Sequence, residues 1–211
     1  MAAPTTVHII DDDSAVRESL VALVQMRGMQ TKGYASAEAF LAALQPSDTG
    51  CIVCDVRMSG LGLTGLQLLE KLAELKSTLP VIIITAFADV PTAVRAMQAG
   101  AVTFLEKPAN EADLIAAIQQ ALNLEQAQAA LRRQKSDVET KLTTLTADEI
   151  AVMRKMLEGL PNKRIASDLD IGLRTVELRR SNIMKKMGAG SLAELVRLAL
   201  LVDFFKADDK N

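Results

Sequence analysis

Tryptophan is absent from the 211-residue chain, histidine occurs once, as His8, and cysteine twice. The longest apolar runs, at 81–86 and 195–202, fall far short of the roughly 20 residues that a bilayer-spanning helix needs. Residues 1–6 offer neither the basic n-region nor the apolar h-region of a secretory signal. The expectation is a soluble, cytoplasmic protein with no membrane partner. Cys51 and Cys54 have the C-x-x-C spacing of a redox pair or of half a metal site. They lie, however, in the apolar run Cys51-Ile52-Val53-Cys54, which reads as a buried strand in which residues three apart point to opposite faces. With no second C-x-x-C, two small buried hydrophobes are expected instead.

Hydrophobic residues make up 49% of the chain and charged residues 24%, enough apolar material for packed cores. At this length two modest domains are expected rather than one large one. The formal charge of -2 hides an asymmetry. Residues 1–124 carry eight Lys and Arg against thirteen Asp and Glu, whereas 125–211 carry sixteen against thirteen. A mildly basic rear half can track a phosphate backbone, but so small an excess does not establish that it does.

Strand candidates at 7–10, 30–34, 51–54, 81–84 and 102–105, most of them short apolar runs, alternate with segments of helical period at about 14–27, 36–44, 65–76, 90–98 and 111–124. That alternation predicts an α/β fold, a doubly wound five-stranded parallel sheet with helices on both faces. Ser14 and Ser36 are candidate N-caps, and Gly28 and Gly100 fall where helices should stop. Residues 123–142 are polar and helix-favouring, without Gly or Pro, and read as a helical linker that continues the fifth helix. Leu124, Leu131, Val138 and Leu142 approach heptad spacing, so the linker serves either as a spacer or as a dimer seam. Beyond it, a small all-α domain with four helices is expected, at about 147–158, 162–169, 174–187 and 191–203. Its first helix opens with the capping box Thr146-Ala147-Asp148-Glu149. The division is therefore 1–122, 123–142 and 143–211, the last few residues forming a polar tail.

Asp11, Asp12 and Asp13 directly follow the first strand, and Asp55 directly follows the third. In an open parallel sheet ligands bind beyond the carboxyl ends of the strands, where these carboxylates fall. The fourth and fifth strands bring Thr85 and Lys107 to the same edge, with Pro108 fixing the turn that follows. Clustered carboxylates repel unless a cation intervenes, and hard oxygen ligands with room for water suit Mg2+ or Mn2+. One carboxylate so neutralised can attack a phosphoryl group in line, while the metal, Lys107 and Thr85 stabilise charge on the transferred oxygens. An Asp after a strand is by itself usually a cap, and Lys-Pro usually only a turn; the signal lies in all of them occurring in this order.

Residues 5–122 resemble the receiver domain of two-component response regulators, a flavodoxin-like fold. The resemblance implies that Asp55 is the phosphoacceptor, that Asp12 holds the metal directly and Asp11 nearby or through water, and that the backbone carbonyl of Arg57 completes the metal site. It further implies that Thr85 is the switch hydroxyl, Lys107 the invariant lysine and Phe104 the aromatic switch position. A sensor histidine kinase is the implied phosphodonor. The sequence departs from the pattern after Asp55, where receivers usually read D-x-x-M-P-x-M-[ST]-G. Here Ser59 stands in place of proline, and a loop two residues longer carries Gly60 and Gly62. A tolerated insertion is expected, with phosphorylation kinetics open to change.

In the rear half, 162–169 gives a short helix, 170–173 a Gly-bearing turn, and Arg174 begins a second helix, which is helix-turn-helix organisation. Val176, Ile183 and Met187 can face a core, leaving Arg179, Arg180, Lys185 and Lys186 for other faces. Residues 143–203 resemble the LuxR-type output domain of the NarL/FixJ group, through Leu145-Thr146 with Glu149, Gly159, Asn162-Lys163, Ile165-Ala166, Leu169, Ile171, Arg174-Thr175-Val176-Glu177 and the run 183–187. The resemblance implies DNA contacts from Lys163, Arg174, Thr175, Glu177, Leu178, Arg179, Arg180, Ser181 and Lys185. Glu177, Leu178 and Ser181 would face base edges, with Arg179, Arg180 and Lys185 nearer the backbone. Many relatives have lysine where Glu177 stands and histidine where Arg179 stands, which puts the operator sequence in question.

Taken together, the resemblances imply a response regulator that is no enzyme beyond its own phosphoryl acceptance and release, and that dimerises on phosphorylation to bind double-stranded promoter DNA. Two rivals compete with it. A magnesium-dependent phosphatase or phosphotransferase would need an acid or base two residues after Asp55, where Arg57 stands. Alternatively, DNA binding is independent of phosphorylation and the front domain only dimerises.

Overall fold

The structure is a computed structural model and describes residues 5–58 and 62–204; Ser59 and Gly60 of the lengthened loop, and the tail, lie outside the described residues. The chain divides into two compact units, Met1–Ala129 and Ala130–Asn211.

In the first unit five parallel strands, β1 (Thr5–Ile10), β2 (Gln30–Tyr34), β3 (Thr49–Asp55), β4 (Val81–Thr85) and β5 (Thr103–Glu106), lie in the order β2-β1-β3-β4-β5. Helices α1 (Ser14–Met26), α2 (Ala37–Ala43), α3 (Gly65–Glu74), α4 (Val90–Gln98) and α5 (Glu111–Leu142) follow them in alternation. This is the doubly wound parallel sheet that the alternation predicts, in the flavodoxin-like form that the receiver resemblance implies. The period of two along each strand sorts the core into two layers. Val7, Ile9, Cys51, Val53, Ile82 and Ile84 pack with Val24 of α1 and with Leu114 and Ile118 of α5. On the other side Ile10, Ile52, Cys54, Val81 and Ile83 pack with Phe40 of α2, Leu68 and Leu72 of α3 and Ala96 of α4. Cys51 and Cys54 are thus free thiols on opposite faces.

Ser36 caps α2 as expected, its side chain accepting from the Ala39 N–H. For α1 the expectation is corrected: the cap is Asp13, whose carboxylate accepts from the Ala15 and Val16 N–H groups, and Ser14 is the first helical residue. Carboxylate and hydroxyl alike accept from orphan donors at a helix N-terminus, but only the carboxylate adds a negative charge that complements the dipole. Gly28 and Gly100 both take positive φ, 76° and 98°, where α1 and α4 end.

The fifth helix runs unbroken through the expected linker. The heptad-like series divides between two environments. Val138 is 2% exposed and belongs with Leu142 to the core of the second unit, while Leu124 and Leu131 are exposed. In that unit α6 (Ala147–Leu157), α7 (Asn162–Asp168), α8 (Leu173–Met187) and α9 (Leu192–Leu201) enclose Val152, Met153, Met156, Ile165, Leu195 and Leu198. Thr146 and Glu149 form a reciprocal capping box at the start of α6. Among the described residues no helix is long and apolar enough to cross a membrane.

Candidate functional site

The carboxyl ends of β1, β3, β4 and β5 meet at one edge of the sheet because all five strands run the same way. Asp11 follows β1 with 1% of its surface exposed, Asp55 ends β3 with 7%, and Thr85 ends β4 fully buried. Carboxylate oxygens of Asp11, Asp12 and Asp55 all lie within 4.8 Å of one another. Between two of these acids sits Lys107, whose Nζ donates to Asp11 Oδ2 and to Asp55 Oδ2, each at 2.6 Å. The other oxygens are engaged by backbone: the Arg57 N–H donates to Asp55 Oδ1 at 3.1 Å, and the Asp13 N–H to Asp11 Oδ1 at 3.0 Å.

Lys107 reaches this position because its own N–H donates to the Thr85 carbonyl at 2.8 Å, carrying the β4–β5 pairing one residue past the sheet. The peptide to Pro108 is cis. Burial works against the charge on Lys107, but its hydrogen bonds to Asp11 and Asp55 raise its pKa above the ordinary lysine value. Burial pushes the Asp11 carboxyl up from its ordinary value, opposed by Lys107. The Thr85 hydroxyl accepts from the Phe87 N–H at 3.3 Å, and Phe104 is partly buried against the α2–α4 side of the sheet.

Three groups that the sequence reading did not single out brace this edge. Arg17, in α1, donates to the Asp11 carbonyl at 2.6 Å and fixes the β1–α1 turn. Gly65 lets α3 begin against the end of β3: a Cβ there would lie 2.2 Å from the Asp55 carbonyl oxygen. Glu38 of α2 accepts from the Leu63 N–H at 2.5 Å and holds the far end of the lengthened loop. The Arg57 guanidinium stacks over the exposed Phe87 ring, 4.1 Å from its centroid. Arg17 and Glu38 could have been suspected only from a charge near the acidic run and an acidic helix start, signals shared by many surface residues.

Hard carboxylate oxygens so close together could hold a divalent cation, the ammonium of Lys107 offsetting only part of their charge.

In the second unit Val176, Ile183 and Met187 of α8 are fully buried, so the opposite face looks outward. That face presents Arg174, Glu177, Leu178, Ser181 and Lys185, all exposed, and Lys163 is exposed on α7. Thr175 and Arg180 are half-buried at its margins. Arg179 lies on a flank, where its guanidinium is ion-paired with Asp148 of α6. Lys186, one heptad on, donates to Glu149 Oε2 at 2.6 Å and to the Thr144 carbonyl at 3.1 Å. The sequence reading had both cations but not their acidic partners, which lie more than thirty residues away.

Comparison with known proteins agrees with both halves. The response regulator receiver domain family matches residues 7–119, and the family described as bacterial regulatory proteins, luxR family, matches 143–199. The transcriptional regulatory protein FixJ of Azorhizobium caulinodans is 47% identical over 203 residues, covering 96% of this chain and 95% of its own. FixJ of Rhizobium meliloti is 46% identical over 199 residues, covering 94% and 97%. The solved structure of the response regulator StyR superposes with a TM-score of 0.84 at 39% identity, covering 94% of this chain and 99% of that one. The chain belongs to the NarL/FixJ group of two-component response regulators, transcriptional regulators that join a receiver domain to a LuxR-type helix-turn-helix.

Proposed function

We propose that Asp55 is the phosphoacceptor of this regulator, and that its phosphorylation by a sensor histidine kinase controls binding to double-stranded promoter DNA in the cytoplasm. The observation that carries this reading is the position of Asp55: a buried carboxylate at the sheet edge, tied to Lys107 at 2.6 Å and clustered with Asp11 and Asp12. Asp11, Asp12, Asp55 and the Arg57 carbonyl would hold Mg2+ or Mn2+, which when bound supplies positive charge for the transferred oxygens.

A carboxylate oxygen of Asp55 attacks phosphorus in line, an O–P bond forms, and the bond to the donor's histidine nitrogen breaks, the nitrogen leaving with the electron pair. The ammonium of Lys107 exchanges part of its contact with Asp55 for an oxygen of the incoming group, and the Thr85 hydroxyl turns towards another. That movement draws on Thr85 and Phe104, on adjacent strands, and reshapes the α4–α5 face, on which phosphorylated copies dimerise. Two residues after Asp55 stands Arg57, a donor-only guanidinium and not a carboxyl, which supports acceptance rather than turnover of a phosphate ester.

The proposed division is receiver 1–122, linker 123–142 and DNA-binding domain 143–211. Two copies of α8 would enter successive major grooves, with Glu177, Leu178 and Ser181 at base edges and Lys163, Arg174, Thr175, Arg179, Arg180 and Lys185 at the margins or the backbone. The test is incubation with a small phosphodonor and magnesium. The wild type gains one phosphoryl group and binds promoter DNA more tightly, and Asp55→Asn does neither; equal phosphorylation of the variant would remove Asp55 from its assigned role.

A further inference from the structure

Two acid–base pairs join the first turn of α6 to α8, and their surroundings differ. Glu149 is 5% exposed; it receives the Lys186 ammonium at 2.6 Å and closes the capping box on the Thr146 N–H at 2.9 Å. Lys186 also holds the Thr144 carbonyl at 3.1 Å, so this pair alone fastens α6 to α8 through buried and backbone partners. Asp148, by contrast, keeps 67% of its side chain in solvent while it holds Arg179, whose side chain is 23% exposed. A pair whose acid stands so far out in solvent adds little to stability, too little for the packing of Val176, Ile183 and Met187 to depend on it.

We infer that Asp148 is an affinity-setting residue: an internal stand-in for a DNA phosphate, occupying the Arg179 guanidinium until a backbone phosphate displaces it. This rests on the reading of α8 as a DNA-contacting helix. The guanidinium forks onto a carboxylate and a phosphate in the same way, so the exchange needs only a swing of the side chain. A phosphate in a duplex also releases condensed counterions when a cation neutralises it, whereas Asp148 in open solvent has almost none to release. The exchange therefore runs towards DNA at low salt and back at high salt. Asp148 holds down affinity for any sequence, because it competes for a phosphate contact and leaves base contacts untouched.

The experiment titrates the full chain with a random-sequence duplex at several salt concentrations, with a small acyl phosphate and magnesium present throughout. Wild type is compared with Asp148→Asn, the charge-keeping Asp148→Glu, Arg179→Ala and the double variant. Asp148→Asn should bind about twofold to fivefold more tightly, with a steeper salt slope by up to about 0.9, at an unchanged melting temperature. Asp148→Glu should match the wild type. Arg179→Ala should cost more affinity in the Asp148→Asn background than in the wild type, because only there is the guanidinium uncontested. Unchanged or weaker binding by Asp148→Asn with an intact melting temperature overturns the inference, as does a loss from Arg179→Ala that is equal in both backgrounds. A wild type that binds no duplex overturns the DNA-binding reading itself, a result separate from either of these.

Discussion

Replacing Lys107 with Met keeps the aliphatic stem and removes the one ammonium that lies between Asp11 and Asp55. The side chains of the three are 16%, 1% and 10% exposed, so both carboxylates are left mostly dry and facing each other. Removing one partner of a buried ion pair costs about 3–5 kcal/mol. Here the loss is held to about 3 kcal/mol, the lower end of that range, because the Asp55 side chain keeps 10% of its surface open to water. At about 2–4 °C per kcal/mol for a chain of this size, the melting temperature should fall by about 6–12 °C. The assay is thermal unfolding followed by circular dichroism in a chelator near neutral pH. Lys107 has a raised pKa, so its contribution is fully present below the ordinary value of 10.5 and is lost only as pH rises through the higher folded value; neutral pH lies on the plateau. Adding Asp11→Asn should restore part of the loss, since it removes one of the two stranded charges. Excess magnesium should restore part of it as well. A fall of less than about 1 kcal/mol in chelator, or a double variant no better than the single one, would refute the reasoning.

Three further outcomes follow from geometry elsewhere. His8 is 3% exposed, stacked with Tyr34 and set edge-on to Phe40, and burial lowers its pKa below the ordinary 6.5; stability should hold above that pH and decline as pH falls through the lower folded value. Urea denaturation above and below it should show a smaller decline for His8→Phe, and equal declines would count against the assignment. Gly65→Ala forces a Cβ towards the Asp55 carbonyl, 2.2 Å away before any adjustment, so it should cost about 2–3 kcal/mol and slow phosphorylation; wild-type rates in a phosphodonor assay would argue otherwise. Thr146→Ala breaks the capping box of α6 and should cost about 1 kcal/mol, read as faster amide exchange in α6 with little change in β1 or β3.

The parallel sheet was legible because β1, β3 and β4 are short, largely apolar runs bounded by turn residues; the polar edge strand β2, QTKGY, was legible only by its place between two helical segments. The site was legible for a related reason: once the strand order is parallel, residues at the strand ends must converge, and Asp11, Asp55, Thr85 and Lys107 do. The acidic run misled in one respect. Asp11, Asp12 and Asp13 read alike, yet Asp13 spends its carboxylate on the start of α1. The heptad-like spacing left more open: it does not say which core a residue joins, and Val138 enters the core of the second unit while Leu131 stays in solvent. Pairs such as Arg179 with Asp148 leave no local pattern, because a charge on a helix surface reads the same whether or not a distant partner meets it.

The two cysteines have a practical consequence. Burial pushes the Cys51 thiol up to about 12 and Cys54 up as well, so neither is a nucleophile while the sheet stays covered. Modification by an alkylating reagent then times the transient lifting of the helices, Cys51 for the side lined by α1 and α5 and Cys54 for the side lined by α2, α3 and α4. The chain carries a natural clock on each side of its sheet. The mass of labelled peptides would reveal which side loosens first when a phosphoryl group arrives.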